Sequence, residues 1–131
     1  MPKKQKDRRG LAEILESTSD VLFPAEFGRR PIELNTRGVD GDTPLHVMLW
    51  RCDTYAAELL IDAGIDVNAV GDMGETPLHV AIRRENARAV RALLQAGARS
   101  DIRSEFGQMA VDVLGECSPE FRRLVDACFD P

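Results

Sequence analysis

The run Thr43-Pro44-Leu45-His46 returns as Thr76-Pro77-Leu78-His79, 33 residues later. A fixed period with a proline-started motif at each recurrence is the mark of stacked repeats rather than of an ordinary globular core. Laying residues 38–70 over 71–103 extends the match. Gly41 meets Gly74, Val47 meets Val80, Ala57 meets Val90, Leu60-Ile61 meets Leu93-Leu94, and Ala63-Gly64 meets Ala96-Gly97. Thr before Pro suits a helix start, because the hydroxyl caps free amides and proline has no amide to lose. Gly64 and Gly97 stand where a second helix ends and a left-handed residue is needed. Between these marks Ala57, Leu60 and Ile61, and then Val90, Leu93 and Leu94, form an apolar stripe at helical spacing. Each unit therefore reads as a short helix, a turn, a second helix and an extended loop with a glycine-marked tip.

This pattern resembles the ankyrin repeat, a 33-residue unit carrying T-P-L-H-x-A. The second unit fits in full, as Thr76-Pro77-Leu78-His79-Val80-Ala81. The first departs at Met48, which replaces the small residue and predicts slightly wider helix packing there. The resemblance covers residues 31–127 and implies an all-α fold: an ankyrin-repeat solenoid with degenerate capping units at both ends. The chain is also similar to small stand-alone bacterial ankyrin repeat proteins, some of which are immunity or regulatory partners of toxins.

The flanks are read by register. Residues 106–112 align with 73–79, so Asp112 replaces the histidine, and a second helix is expected from Ser118-Pro119. That helix is expected to bury Phe121, Leu124 and Val125 and to keep Glu120, Arg122, Arg123 and Asp126 in water, as a terminal unit requires. Upstream, Leu11, Ile14 and Leu15 share one helical face and predict the second helix of an incomplete first unit. The stretch from Pro24 to Pro31 has no repeat equivalent, and Leu34-Asn35-Thr36 matches Val67-Asn68-Ala69. The expected organisation is a disordered basic tail at 1–10 and one domain at 11–131. Within it lie an N-terminal half-unit (11–37), two repeats (38–70 and 71–103) and a degenerate third (104–131).

Charge is unevenly placed. The first ten residues, with Lys3, Lys4, Lys6, Arg8 and Arg9 against Asp7, carry +4, which leaves −9 on the rest of a chain whose net charge is −5. An acidic body argues against a nucleic-acid face, which needs clustered positive charge. The tail reads as a solubilising end, or else as a basic arm for nucleic acid or an acidic partner. No apolar run approaches the roughly 18–20 residues of a membrane span, and no secretory leader is expected. Cys52, Cys117 and Cys128 have no metal-binding spacing, so a reducing, cytoplasmic setting is the simplest expectation.

No residues assemble a catalytic pattern. His46 and His79 stand one repeat apart without a cysteine or acid at ligand spacing, and the resemblance implies a structural role tying neighbouring units together. The pairs Asp40/Asp42 and Asp72/Glu75 fall on expected loop tips in water, where nothing drives their pKa values apart. The glycine-spaced loops at 38–41 and 71–74 lack the strand-to-helix setting of a phosphate site. No enzyme activity, cofactor, metal or small-molecule substrate is expected.

In the ankyrin family, binding is usually made by loop tips and first helices on the concave surface. Carried over by register, the tip positions are Val39, Asp40 and Asp42, then Asp72, Met73 and Glu75, then Glu105, Phe106 and Gln108. The first-helix positions are Trp50 and Arg51, then Arg83 and Arg84, then Glu116 and Cys117. Aromatics, Met and Arg are enriched at interface centres, although Trp50 and Phe106 also suit a capping role on neighbouring repeats. The expected picture is a banded groove, with Asp40, Asp42, Asp72, Glu75 and Glu105 on the rim and Arg51, Arg83 and Arg84 deeper. The leading expectation is a monomeric, non-catalytic protein-binding module of regulatory or immunity type. The alternative is an assembly protein that oligomerises through its repeat ends, near Cys128 and Phe129.

Overall fold

The computed structural model describes residues 9–129, which contain eight α-helices and no strand. In chain order these are α1 (Leu11–Glu16), α2 (Ser19–Leu22), α3 (Pro44–Trp50), α4 (Thr54–Asp62), α5 (Pro77–Arg83), α6 (Ala87–Gln95), α7 (Ala110–Leu114) and α8 (Pro119–Phe129). Single 3-10 turns lie at Pro24–Glu26 and Asp72–Gly74.

The repeat motif works as a reciprocal cap. Thr43 and Thr76 accept from the amides of His46 and His79, and each imidazole Nδ1 in turn accepts the threonine amide at 3.1 Å. The second helices start on Asp53 and Asn86, whose side chains accept from Ala56 N (3.2 Å) and Ala89 N (3.1 Å). Both end in the expected left-handed glycine. Gly64 (φ 93°) and Gly97 (φ 96°) place the next amide on a carbonyl of the last turn, Ile65 to Leu60 and Ala98 to Leu93.

Helices pack in two rows, α3–α5–α7 and α1–α4–α6–α8, each touching its neighbour in the row. One apolar cluster runs from Ile14 through Leu45, Leu60, Leu78 and Leu93 to Val125. Full burial of each such leucine is worth about 1.5–3 kcal/mol. No single unit closes its core alone, which is why the units must stack.

At the N-terminal end α1 stacks on α4 as a second helix. The following segment goes further than the half-unit expected: Leu22 and Phe23 form a small cluster with Val47 of α3, and the Arg51 guanidinium donates to Ser17 O at 3.2 Å. Residues 17–23 therefore cover the flank of α3 that a preceding first helix would otherwise cover. The expected tail boundary also shifts. Arg9 pairs with Asp53 at 2.6 Å and lies over the Tyr55 ring, while Tyr55 OH donates to its carbonyl. Arg9 and Gly10 belong to the folded body, and the rest of the proposed tail, residues 1–8, lies outside the described residues.

At the C-terminal end Ser118 caps α8 by accepting from Phe121 N at 3.2 Å. Phe121 and Val125 are buried, but Leu124 is 58% exposed, against expectation. Counted from the helix caps, Leu124 takes the half-buried place of Ala92, while Val125 fills the buried place of Leu93. Counted from the caps Asn86 and Ser118, Arg122 and Asp126 replace Val90 and Leu94, so the last unit carries polar groups where repeat two carries apolar ones.

Candidate functional site

Three hairpin tips project from the ends of the first helices. Each is closed by the same bond: Gly38 N to Asp42 O (2.8 Å), Gly71 N to Glu75 O (2.9 Å) and Ser104 N to Gln108 O (2.9 Å). The tips are also tied sideways. Val39 N donates to Leu22 O (3.1 Å), Asp72 N to the Asp42 carboxylate (2.9 Å), and Glu105 N to Met73 O (3.0 Å). A Cβ at Gly74, where φ is 73°, would sit 2.7 Å from Glu105 N, so the contact between the second and third tips depends on glycine. Next to it Met73 is held in the left-handed region at φ 58°, a costly conformation for a non-glycine residue.

This row presents six of the expected site residues to solvent. Val39 is 69% exposed, Met73 42% and Phe106 66%. Beside them Asp40, Asp72 and Glu105 are exposed, and their carboxylates meet no cation or donor among the described residues. Trp50, at the end of α3, keeps 39% of its surface exposed, so it packs and still offers a face.

The remaining positions are engaged internally. Glu75 is only 3% exposed, which corrects its placement on a wet rim and the reading of Asp72/Glu75 as two solvated acids. The Arg83 guanidinium pairs with Glu75 at 2.6 Å, donates to Gln108 Oε1 at 3.1 Å and lies 3.9 Å from Glu116, while Gln108 Nε2 donates to Glu116 at 2.8 Å. The bond to Glu75 raises the pKa of Arg83 above its ordinary value. Arg51 is drawn to Ser17 O and lies 3.8 Å from Asp20. Arg84 Nε points at Cys52 Sγ, 3.2 Å away. The expected arginine band is therefore mostly matched by the chain's own groups, because position 75 points inward beneath its tip. A pattern search does not reveal that pairing, since the partners are 8 and 25 residues apart in sequence.

The histidines are structural. His46 Nε2 lies 3.0 Å from Glu75 O and His79 Nε2 lies 2.9 Å from Gln108 O, so with Nδ1 accepting from threonine each ring is a neutral Nε2–H tautomer bridging to the next unit. Burial pushes the His46 pKa below its usual value, against the opposing pull of Asp42. Asp112 keeps the local half of this role, accepting from Met109 N at 2.9 Å. It has no proton to send onward, and no further unit follows among the described residues. Those residues hold no group of three potential metal ligands. Two clefts lie away from the tips: one of about 430 Å³ between α4 and α6, and one of about 350 Å³ lined by Leu34, Asn35, Ile65 and Ala69 among others. Cys52 is exposed, whereas Cys117 and Cys128 are half-buried, and burial raises the Cys117 thiol pKa.

The family model described as Ankyrin repeats (3 copies) matches residues 15–104. No curated protein matches the chain. The match begins in α1 and ends as the third tip opens, so it includes the first two tips and both bridging histidines.

Proposed function

Because the chain belongs to the ankyrin-repeat family, whose repeats are generally protein–protein interaction modules, we propose that it is a non-catalytic binding protein that engages one partner protein through the tip row and the adjoining first-helix face. The supporting observation is that three successive tips each carry a solvent-exposed large apolar residue, one of them in a strained left-handed conformation. Packing does not require exposed Val39, Met73 and Phe106, and strain tolerated at an exposed methionine is a feature of sites kept for contact. Val39, Asp40, Asp72, Met73, Glu105, Phe106 and Trp50 make the contacts. Asp42, Glu75, Arg83 and Gln108 hold the tips in place, and Arg51 and Arg84 border them.

The role is regulatory or of immunity type, carried out in a reducing, cytoplasmic setting by a monomer. Among the described residues no helix is long and apolar enough to cross a membrane. The alternative, assembly through the repeat ends, is disfavoured at the C-terminal edge by Asp112, Arg122 and Asp126, which would bring charge into a fourth-repeat interface.

The test is capture of partners from host lysate by the wild type and by a Trp50→Ala/Met73→Ala/Phe106→Ala variant of matched thermal stability. One protein kept by the wild type and lost by the variant supports the reading. Equal recovery by both moves the interface off this face.

A further inference from the structure

We propose that Asp42 is a positioning residue of the binding face: its carboxylate reaches across the joint between the first two repeats and holds Met73 in the left-handed conformation that presents its side chain to a partner. This rests on the reading of the tips as the binding face and adds to it the residue that sets their shape.

The three tips are copies in register, and only one of them is left-handed at its centre. Asp40, Met73 and Phe106 stand at the same place, each directly before a glycine of positive φ: Gly41 at 90°, Gly74 at 73° and Gly107 at 78°. All three tips share the closing bond across the hairpin. Yet of the three central residues only Met73 has a positive φ, at 58°. Residue preference predicts the opposite. Asp enters the left-handed region more readily than Met, so Asp40 is the centre that should turn. Neither the following glycine nor the central residue accounts for Met73.

What sets the second tip apart is the tie made by the residue before its centre. Val39 N and Glu105 N donate to backbone carbonyls, Leu22 O at 3.1 Å and Met73 O at 3.0 Å, whereas Asp72 N donates to the Asp42 carboxylate at 2.9 Å. By register, the bond from Glu105 N to Met73 O predicts Asp72 N on Asp40 O. The carboxylate takes that place, with a charge-assisted bond of the stronger kind. Gly71 leaves the space: a Cβ there would overlap the Asp42 carboxylate oxygen and come within 2.9 Å of His46 Nε2. With its Asp72 amide drawn onto the carboxylate, the tip gains a bond from Glu75 N to Asp72 O at 3.2 Å, which has no counterpart in the other two tips. Met73 lies inside that extra turn. The other side-chain ties from the first unit, Arg37 to Val70 O and His46 to Glu75 O, hold the two ends of the hairpin rather than its centre. Because Met73 O accepts from Glu105 N, the hold of Asp42 also extends to the third tip.

The experiment compares the wild type with Asp42→Ala, Asp42→Asn and Asp40→Ala by NMR, with the helical amides of Leu60 and Leu93 reporting that the stack is folded. Asp42→Ser, one atom shorter than the native side chain, is a second truncation should alanine unfold the chain. One reading is the intraresidue amide–Hα NOE of Met73, which is strong only at positive φ. The other is hydrogen exchange at the Asp72 amide. Asp42→Ala is expected to weaken the NOE to the level of Phe106 and to speed Asp72 exchange at least tenfold. Asp42→Asn keeps an acceptor without the charge, and is expected to retain the NOE with an intermediate exchange rate. Asp40→Ala removes a tip charge that has no partner among the described residues and is expected to match the wild type in both readings. An undiminished Met73 NOE in the folded truncations would overturn the proposal, and so would an equal loss in Asp40→Ala. Capture from host lysate then compares the wild type, Asp42→Ala and Asp42→Asn, with recovery expected to fall severalfold with alanine and to return with asparagine. Unchanged recovery by a variant whose Met73 has turned would sink the tip row as the binding face and leave the tie between Asp42 and the second tip standing. An undiminished NOE does the reverse.

Discussion

His46 is buried against the carbonyl of Glu75 and must stay neutral to accept the Thr43 amide at Nδ1. Its folded pKa lies below the ordinary 6.5. Between those two values the unfolded chain binds more protons than the native one, so stability is full above pH 6.5 and declines as pH falls toward the lower folded value. Urea unfolding at a series of pH values between 7 and 5 is expected to show this decline, and its slope should shrink in a His46→Asn variant. His79→Asn is expected to keep the local cap on Thr76 and lose the bridge to Gln108, at a cost of about 1–2 kcal/mol in urea melts. Met73 separates stability from contact. Met73→Asn, better suited to φ 58°, is expected to raise stability by roughly 0.5–1 kcal/mol while weakening partner capture.

At the scale of elements, the helices are set by their ends more than by their length. The first helices α3 and α5 have seven residues each and α7 has five, too short to stand alone. Thr76→Ala and Asn86→Ala each remove a cap from a unit in the middle of the stack and are expected to cost about 1 kcal/mol in chemical denaturation. The Glu75–Arg83–Gln108 network joins the second tip to the third. Arg83→Met leaves the Glu75 carboxylate buried without its cation, and a loss of about 1–3 kcal/mol is expected. Glu75→Gln/Arg83→Met should recover part of that loss if the buried charge is the cause.

For the whole molecule, stability is carried by nearest-neighbour interfaces, so a central defect propagates to both sides. Leu60→Ala, in the continuous core, is expected to cost about 2–5 kcal/mol and to lower the thermal midpoint by several degrees or more. The polar C-terminal edge predicts a monomer. Light scattering at high concentration should give the 14.5 kDa chain mass, and a concentration-dependent dimer would count against that reading.

The 33-residue recurrence fixed the architecture before any coordinate was needed, because caps, turn glycines and helical periodicity are local and each residue type carries its own conformational preference. The same locality made Ser118, Gly64 and Gly97 readable as helix ends, and the tips recognisable as loops. Only the tertiary structure decided which site residues are free. Glu75 and Phe106 both read as tip residues, yet one is buried on Arg83 and the other stands in water. Leu124 and Arg9 likewise differ from their expected places, because Leu124 takes the half-buried place of Ala92 and Asp53 captures an arginine 44 residues away. Burial and charge pairing depend on contacts between units, and spacing along the chain does not encode which of two candidate partners lies nearer in space.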